Sequence, residues 1–177
     1  QLSINDQLTS FSIGSSTYLA KQNMTLKSWV NSGYNVDGYS IKDNALYYGN
    51  VKVYGNVNTT ISNSLSLDLP SKITFTLKNN TSESTDSVRK RTFSVLPGMT
   101  FENWIKLYSK NTPYSDSLQF LNSQEGSELY GKDSNGMFIG LYTATGSKKI
   151  LKSDVIEEGQ TYFLWYSHYE LSKEIGS

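Results

Sequence analysis

Cysteine is absent from this 177-residue sequence, and histidine occurs only once, at His168. Without cysteine the chain can form no disulfide, no thiolate metal site and no cysteine nucleophile. A single histidine excludes a histidine pair as metal ligands and leaves any Ser-His-Asp triad dependent on one residue. The sequence also has no Gly-x-Ser-x-Gly, no glycine-rich phosphate loop and no His-Glu-x-x-His. It therefore predicts a protein that is not an enzyme and that uses no metal or cofactor.

Neither sign of charge is in excess, because 16 Lys and Arg residues balance 16 Asp and Glu residues. An excess of positive charge is what concentrates the phosphates of nucleic acids, so we expect no nucleic-acid partner. Long hydrophobic runs are missing too. The longest apolar stretches, such as "TYFLWY" at Thr161 to Tyr166, are far shorter than the roughly 20 residues that span a bilayer. We therefore expect no membrane insertion.

What the sequence does contain is aromatic residues and one repeated phrase. The 13 Tyr, 7 Phe and 3 Trp residues occur among many Ser, Thr, Asn and Gly residues, a composition that favours strands and loops over helices. The phrase "NMTLKSWV" at Asn23 to Val30 returns as "GMTFENWI" at Gly98 to Ile105. This repetition favours the duplication of a small domain.

Each copy of the phrase predicts the start of a short helix. The threonine is suited to cap the helix, and the methionine before it can pack on the tryptophan four residues inside the helix. The apolar residues that follow recur at the spacing of one helical face. We therefore expect these residues to form the structural core: Met24, Trp29, Val30, Met99, Phe101, Trp104 and Ile105.

A hairpin-like stretch precedes each helix, and further short strands follow it. This order predicts a strand-rich α+β fold made of two tandem β-grasp-like units, each a mixed sheet with one short helix packed across it. We place the boundary at Leu69-Pro70, which gives a first unit at 1–69 and a second, longer unit at 70–177. Matching Tyr162 with Leu65 gives the second unit about 22 extra residues, an insertion at about 109–136.

The stretch "MTLKSWVNSGYNVDG" at Met24 to Gly38 resembles a small repeat domain of tailed-bacteriophage virion proteins. In that domain a hairpin is followed by a phrase of the form Gly-Met-Thr-aromatic-x-x-Trp. The phrase continues as Val-x-Ser-x-Tyr-Asn-x-x-Gly, which the first copy matches from Val30 to Gly38. The first copy departs from the phrase at Asn23 and Leu26, and the second copy lacks the Tyr-Asn part. The resemblance implies a non-enzymatic structural or attachment module of a virion, such as a head fibre, a tail fibre or a decoration protein, with other virion subunits as partners.

A second hypothesis also fits the tyrosine-rich and asparagine-rich composition. The chain could instead be a carbohydrate-binding or adhesin module of a bacterial surface protein, which would place it at the cell surface or outside the cell. Under either hypothesis the expected partners are protein subunits, including a second copy of this chain, and a glycan.

Two groups of aromatic residues are candidate binding residues. In "TYFLWYSHYE" the strand is apolar on both faces, which indicates either a central strand buried on two sides or an exposed platform of Trp165, Tyr166 and Tyr169 for a protein or a sugar. Tyr47 and Tyr48 follow one another in a strand, so they cannot face the same core. One of these two tyrosines should lie outside it.

Overall fold

The structure, a computed structural model, describes residues 7–80 and 90–171 of the chain. The chain divides into two compact units, residues 1–71 and 72–177. The division falls two residues after Leu69, where the sequence places the boundary. Strands are more extensive than helices, so the strand-rich α+β class is confirmed. Within the described ranges, no helix is long and apolar enough to cross a membrane.

The first unit has a short helix between strands of two sheets. Its elements are β1 (Leu8–Ile13), β2 (Ser16–Lys21), α1 (Leu26–Val30), β3 (Tyr39–Lys42), β4 (Ala45–Tyr48), β5 (Val51–Tyr54) and β6 (Ser66–Leu67). Strands β1 and β2 form an antiparallel hairpin, and β6 pairs with β1 in parallel, which gives the order β2-β1-β6. Strands β3, β4 and β5 form a separate antiparallel sheet.

The second unit places its strands in one larger sheet. Its described elements are β7 (Ile73–Asn79), β8 (Lys90–Val95), α2 (Phe101–Tyr108), a 3-10 turn (Ser109–Asn111), α3 (Ser115–Ser123), β9 (Tyr130–Lys132), β10 (Phe138–Thr143) and β11 (Thr161–Ser167). The strand order is β8-β7-β11-β10-β9, and β11 runs parallel to β7. The 3-10 turn, α3 and β9 lie in the region 109–136, where the sequence predicts an insertion.

Both α1 and α2 begin at the threonine of the repeated phrase, as predicted. Thr25 Oγ1 accepts a hydrogen bond from Ser28 N at 3.2 Å. Thr100 Oγ1 accepts one from Asn103 N at 3.3 Å. Each bond satisfies one of the first N–H groups of a helix, which have no partner within the helix itself. The cap therefore fixes where each helix starts.

In each unit a tryptophan of the helix packs against the hairpin. In the first unit Trp29 is fully buried, and its ring centroid lies 5.1 Å from that of Phe11 on β1 and 5.3 Å from that of Tyr18 on β2. In the second unit Trp104 is fully buried in the same way, with distances of 5.0 Å to Phe75 on β7 and 5.3 Å to Phe93 on β8. Burial of these large rings is the main apolar contribution of the helices.

The same backbone hydrogen bonds surround the helix in both units. After the helix the chain returns to the cap, and a last strand then runs parallel to the first. In the first unit the connecting bonds are, in order, Leu26 N to Thr59 O (3.0 Å), Lys27 N to Val57 O (2.8 Å) and Ile61 N to Met24 O (2.7 Å). The corresponding bonds of the second unit are, in the same order, Phe101 N to Asp154 O (3.0 Å), Glu102 N to Lys152 O (2.9 Å) and Ile156 N to Met99 O (2.9 Å). We call this set of contacts the shared frame.

Ile61 and Ile156 are equivalent in the shared frame, because each donates to the methionine before a helix cap. Six residues further along each chain segment, Leu67 corresponds to Tyr162, and both are buried on the last strand. The match expected from the sequence, Leu65 with Tyr162, is two residues early. Trp29 to Leu67 spans 38 positions and Trp104 to Tyr162 spans 58, so the second unit has 20 extra residues here rather than about 22.

The expected core residues are buried to different degrees in the two units. In the second unit all four are at most 1% exposed: Met99, Phe101, Trp104 and Ile105. In the first unit only Trp29 is fully buried, while Met24 and Val30 are partly buried and pack against the core from its edge. The shorter helix of the first unit, with five residues, covers less of its sheet than the eight residues of α2.

Candidate functional site

The aromatic residues of β11 point to both faces of the sheet, because side chains alternate along a strand. Tyr162 and Leu164 are buried on the face that carries α2, where the Tyr162 ring lies 4.7 Å from that of Phe101. Trp165 lies on the opposite face. Tyr166 returns to the helix side, where burial raises the pKa of its hydroxyl. Trp165 and Tyr166 therefore lie on opposite faces of the sheet, so Trp165, Tyr166 and Tyr169 do not form the single platform that was expected.

Trp165 and Tyr169 do lie together. Trp165 Nε1 donates a hydrogen bond to Tyr169 O at 3.2 Å. Trp165 is half-buried, whereas Tyr169 is 62% exposed and is the most exposed of the expected aromatic residues. The end of β11 thus presents an indole and a phenol to solvent at neighbouring positions, which is a common feature of contact surfaces.

Besides the nearly buried Tyr142, three further rings share the outer face of this sheet with Trp165. The register pairs Trp165 with Gly140 and Gly140 with Tyr130, so these three positions face the same way. Phe163 lies two residues before Trp165 and Phe138 lies two residues before Gly140, which puts both rings on the same face. Ring centroids are 5.8 Å apart for Phe163 and Trp165 and 6.3 Å apart for Tyr130 and Phe138. All four rings are half-buried. We call them the outer aromatic face: Tyr130, Phe138, Phe163 and Trp165.

Gly140 provides the space in which the neighbouring rings lie across the sheet. A Cβ at this position would come within 2.7 Å of Tyr142 Cε1 and 2.9 Å of Tyr130 Cδ1. Any side chain here would displace one of these rings, so glycine permits their close approach to the backbone. Tyr142 is nearly covered, and burial raises the pKa of its hydroxyl well above the usual range.

Two lysines add positive charge to the outer aromatic face. Lys132 Nζ lies 5.3 Å from the centroid of the Phe138 ring, and Lys149 Nζ lies 3.9 Å from that of the Tyr130 ring. These are cation–π distances. Lys149 Nζ also lies 3.8 Å from a carboxylate oxygen of Glu128. The carboxylate of Glu170 also interacts with Tyr130, so the face combines apolar rings with charges of both signs. It suits a partner that brings both apolar surface and polar groups.

A second candidate site is a cleft of about 300 Å³ in the second unit. It lies where the first residue of α2, the last residue of β10 and the first residues of β11 meet. Three buried side chains give it an apolar floor: Phe101, Ile150 and Tyr162. Its polar lining comes from Thr143, Lys148, Asp154, Glu157, Gln160 and Thr161. The volume is at the lower end of what small-molecule sites have.

Three of the polar side chains in this cleft are available to a ligand. Within the described parts of the chain, the exposed side chains of Lys148, Glu157 and Gln160 form no hydrogen bond or ion pair with another residue. Asp154 is different, because its Oδ2 accepts a hydrogen bond from Leu151 N at 2.8 Å and so holds a turn. The cleft therefore has a fixed carboxylate and three polar groups without a structural role.

In the first unit, Tyr47 and Tyr48 are both half-buried. Tyr48 packs against the core, with its ring centroid 4.8 Å from that of Tyr39. Tyr47 is the preceding residue of β4 and so points to the other face. The two tyrosines do not form one surface, and Tyr47 is the one turned away from the core.

Two polar residues of the stretch Met24 to Gly38, Ser32 and Asn35, hold the loop after α1. The side-chain amide of Asn35 donates to Val30 O and to Tyr39 O, both at 2.9 Å, and its carbonyl accepts from Tyr39 N at 3.0 Å. Ser32 Oγ donates to Trp29 O at 2.6 Å. The bond to Val30 O satisfies a carbonyl at the end of the short helix, and the two bonds to Tyr39 join the loop to the first residue of β3. The role of Ser32 and Asn35 in this structure is to shape the loop.

A tyrosine–aspartate pair closes this loop over the core. Tyr18 donates a hydrogen bond from its hydroxyl to Asp37 Oδ2 at 2.5 Å. Burial, and then this bond to a carboxylate, raise the pKa of Tyr18 to about 12. Burial also raises the pKa of the neighbouring Tyr39. Both phenols stay protonated at neutral pH, which fits a structural hydrogen bond rather than acid–base chemistry.

Within residues 7–80 and 90–171, no group of three or more histidine or acidic side chains is arranged to hold a metal ion. No protein-family model matches the sequence, and no curated protein matches it significantly. The candidate sites are therefore defined by their geometry in this chain.

The sequence reasoning did not identify the cleft or most of the outer aromatic face. The cleft is built from segments that meet only in the fold, from Phe101 to Tyr162. A usable signal was present at Tyr130, Phe138 and Phe163, since each residue lies in a short strand, where side chains alternate between the two faces of the sheet. Pairing those strands correctly would have placed the three rings on one face.

Proposed function

We propose that this chain is a non-enzymatic structural or attachment module of a phage virion, made of two β-grasp-like units. The topology of the second unit supports the β-grasp assignment, since a hairpin, a helix and a last strand parallel to the first form one mixed sheet. The first unit has the same hairpin, helix and parallel last strand. The shared frame supports a tandem arrangement of a repeated domain, which is what the resemblance to phage virion proteins implies.

The outer aromatic face is the observation that carries the proposal. Half-buried rings on three adjacent strands, with lysines above two of them, are more typical of a contact surface than of a solvated sheet. Trp165 and the exposed Tyr169 are the anchors that we expect to contact another virion subunit. A second copy of the chain or a glycan are the other partners that such a surface can accept.

Immunogold labelling of phage particles tests the proposed location. Antibodies raised against the purified chain would be applied to particles released from the encoding organism after prophage induction, and to its intact cells. We expect gold on the particles. Gold on the cell envelope together with unlabelled particles would contradict the proposal and favour the adhesin hypothesis.

A binding experiment tests the contact surface. Purified chain would be mixed with particles from a strain that lacks its gene, and binding measured by co-sedimentation. Because buried aromatic anchors dominate interface energies, Trp165→Ala should weaken binding by about tenfold or more. Val36→Ala is the matched control, since Val36 is 75% exposed and lies in the first unit. Equal binding by Trp165→Ala and Val36→Ala would show that the outer aromatic face is not the contact.

The polar cleft favours the second candidate function, a carbohydrate-binding or adhesin module. It offers both charged and amide side chains above an apolar floor. This feature is compatible with a virion protein too, because attachment requires a receptor on the host surface.

A further inference from the structure

We infer that the polar cleft of the second unit is a binding site for an uncharged saccharide. This inference rests on the proposed attachment role and names the class of ligand that the module would recognise. The site was not expected from the sequence, and it is separate from the outer aromatic face, since Phe101 and Tyr162 belong to the helix side of the sheet.

The chemistry of the lining matches a sugar ring. A sugar presents hydroxyl groups that both donate and accept hydrogen bonds, together with an apolar C–H face. Gln160 can donate and accept, Glu157 can accept and Lys148 can donate. Below them Phe101, Ile150 and Tyr162 provide an apolar floor. A small number of polar groups around an apolar surface is the usual composition of a small-molecule site.

The charges of the cleft disfavour an anionic ligand. Asp154 and Glu157 contribute two negative charges, and Lys148 contributes one positive charge. The helix start does not offset this, because its backbone N–H groups are already used: Phe101 N donates to Asp154 O at 3.0 Å and Glu102 N donates to Lys152 O at 2.9 Å. A phosphate or a carboxylate would therefore meet net negative charge, and the first two N–H groups of the helix would not be available to bind it.

Comparison with the first unit indicates that these polar groups are not required by the shared frame. Counting along the frame, Gln160 corresponds to Leu65 and Glu157 corresponds to Ser62. The same turn and strand therefore form without the amide or the carboxylate. In the second unit Glu157 and Gln160 are exposed and make no side-chain hydrogen bond with described residues. The shared frame does not require them, so their side chains are available to a ligand.

A nuclear magnetic resonance titration of the full chain tests the inference. The probes are glucose, galactose, mannose, N-acetylglucosamine and N-acetylgalactosamine, each added up to about 50 mM so that even a millimolar Kd is detected. At least one sugar should cause saturable shifts of amide signals that cluster at Thr143, Asp154 and residues 157–162. No saturable shift with any of the sugars, or shifts that cluster around Trp165 instead, would overturn it.

Substitutions then test the named side chains. Glu157→Ala and Gln160→Ala should each weaken the Kd for the sugar identified by about fivefold to tenfold, the effect of losing one or two hydrogen bonds. Glu125→Ala is the matched control, because it removes an exposed carboxylate from the same unit outside the cleft. An unchanged Kd for both cleft variants would refute the site even if the sugar binds elsewhere.

The outcome is distinguishable from failure of the proposed function. If particles carry the chain but no sugar shifts the cleft residues, the virion role stands and the saccharide inference is wrong. If the sugar binds in the cleft but gold labels only the cell envelope, the site stands and the module belongs to a surface adhesin.

Discussion

The two units share a frame but differ in the segment that comes after the helix. In the first unit the chain passes through a loop held by Asn35 and then forms the separate sheet β3-β4-β5. In the second unit α3 comes next, and β9 and β10 extend the main sheet to five strands. Only the second arrangement produces the outer aromatic face and the polar cleft. The difference indicates that the frame is common to both units. In the second unit the segment after the helix adds β9 and β10, which form the outer aromatic face and the cleft together with residues of the frame itself.

The two units also differ within the frame, in the hydrogen bonding of the indole N–H group of each helix tryptophan. Trp29 Nε1 donates a hydrogen bond to Leu19 O at 3.0 Å. Trp104 Nε1 is buried and has no partner among the described residues. An unpaired buried N–H costs free energy, so Trp104 stabilises its unit by burial of its ring alone.

The largest effect on this comparison should come from removing either indole. Trp29→Ala and Trp104→Ala should each lower the free energy of unfolding of their unit by about 3–5 kcal/mol, because each leaves a cavity where a fully buried ring was. The caps provide the control: Thr25→Ala and Thr100→Ala should cost only about 1 kcal/mol each. Urea denaturation followed by circular dichroism measures all four. Equal costs for the cap and the indole would mean that the helix is misplaced.

A smaller effect should be confined to the first unit. Asn35→Ala should cost about 2 kcal/mol, since it removes three hydrogen bonds and leaves Val30 O and the backbone of Tyr39 short of partners. Asn31→Ala is the control, because Asn31 is exposed and makes one bond, to Lys27 O at 3.2 Å. Urea midpoints of the two variants decide the matter. If Asn35→Ala were no more destabilising than Asn31→Ala, the loop would not depend on this side chain.

Exchange of indole for phenyl sharpens the contrast between the units. Trp29→Phe should cost about 1 kcal/mol more than Trp104→Phe, because only Trp29 loses a hydrogen bond. Both replacements remove a similar apolar volume, so their packing costs largely cancel in the difference. Paired urea titrations give that difference directly, and a larger cost at Trp104 would reverse the interpretation.

Titration of Tyr18 should leave the stability of the fold unchanged near neutral pH and lower it in the alkaline range. The pKa of Tyr18 is raised from 10.0 to about 12 in the folded chain. Between these values the unfolded chain loses the proton while the folded chain keeps it, so this contribution to stability is intact below pH 10 and declines as the pH rises to about 12. Tyr18→Phe should make the decline shallower. An unchanged decline in thermal melts of Tyr18→Phe across that range would contradict the assignment.

Local signals were enough to predict the parts of the fold that depend on local contacts. The caps at Thr25 and Thr100 were predicted because capping involves neighbours along the chain, and the buried positions of Trp29 and Trp104 follow from helical spacing. The match of Leu65 with Tyr162 was wrong because strand register depends on long-range pairing, which gives little local signal.

The candidate site was predicted less well, for the same reason. Trp165 and Tyr169 were identified from the aromatic segment at the end of the chain, but Tyr166 was grouped with them although strand alternation places it on the helix side with Tyr162 and Leu164. The cleft depends on the meeting of distant segments, so its polar residues, such as Lys148 and Gln160, resembled ordinary surface residues.

Amide hydrogen exchange on the full chain tests most directly whether both units contain the shared frame. We predict that the amides of Ile61 and Ile156 are both protected, and that Leu26 and Phe101 are protected as a second matched pair, each by about 100-fold or more relative to an unstructured peptide. Protection of these amides in only one unit, or at positions that do not match along the frame, would contradict the account.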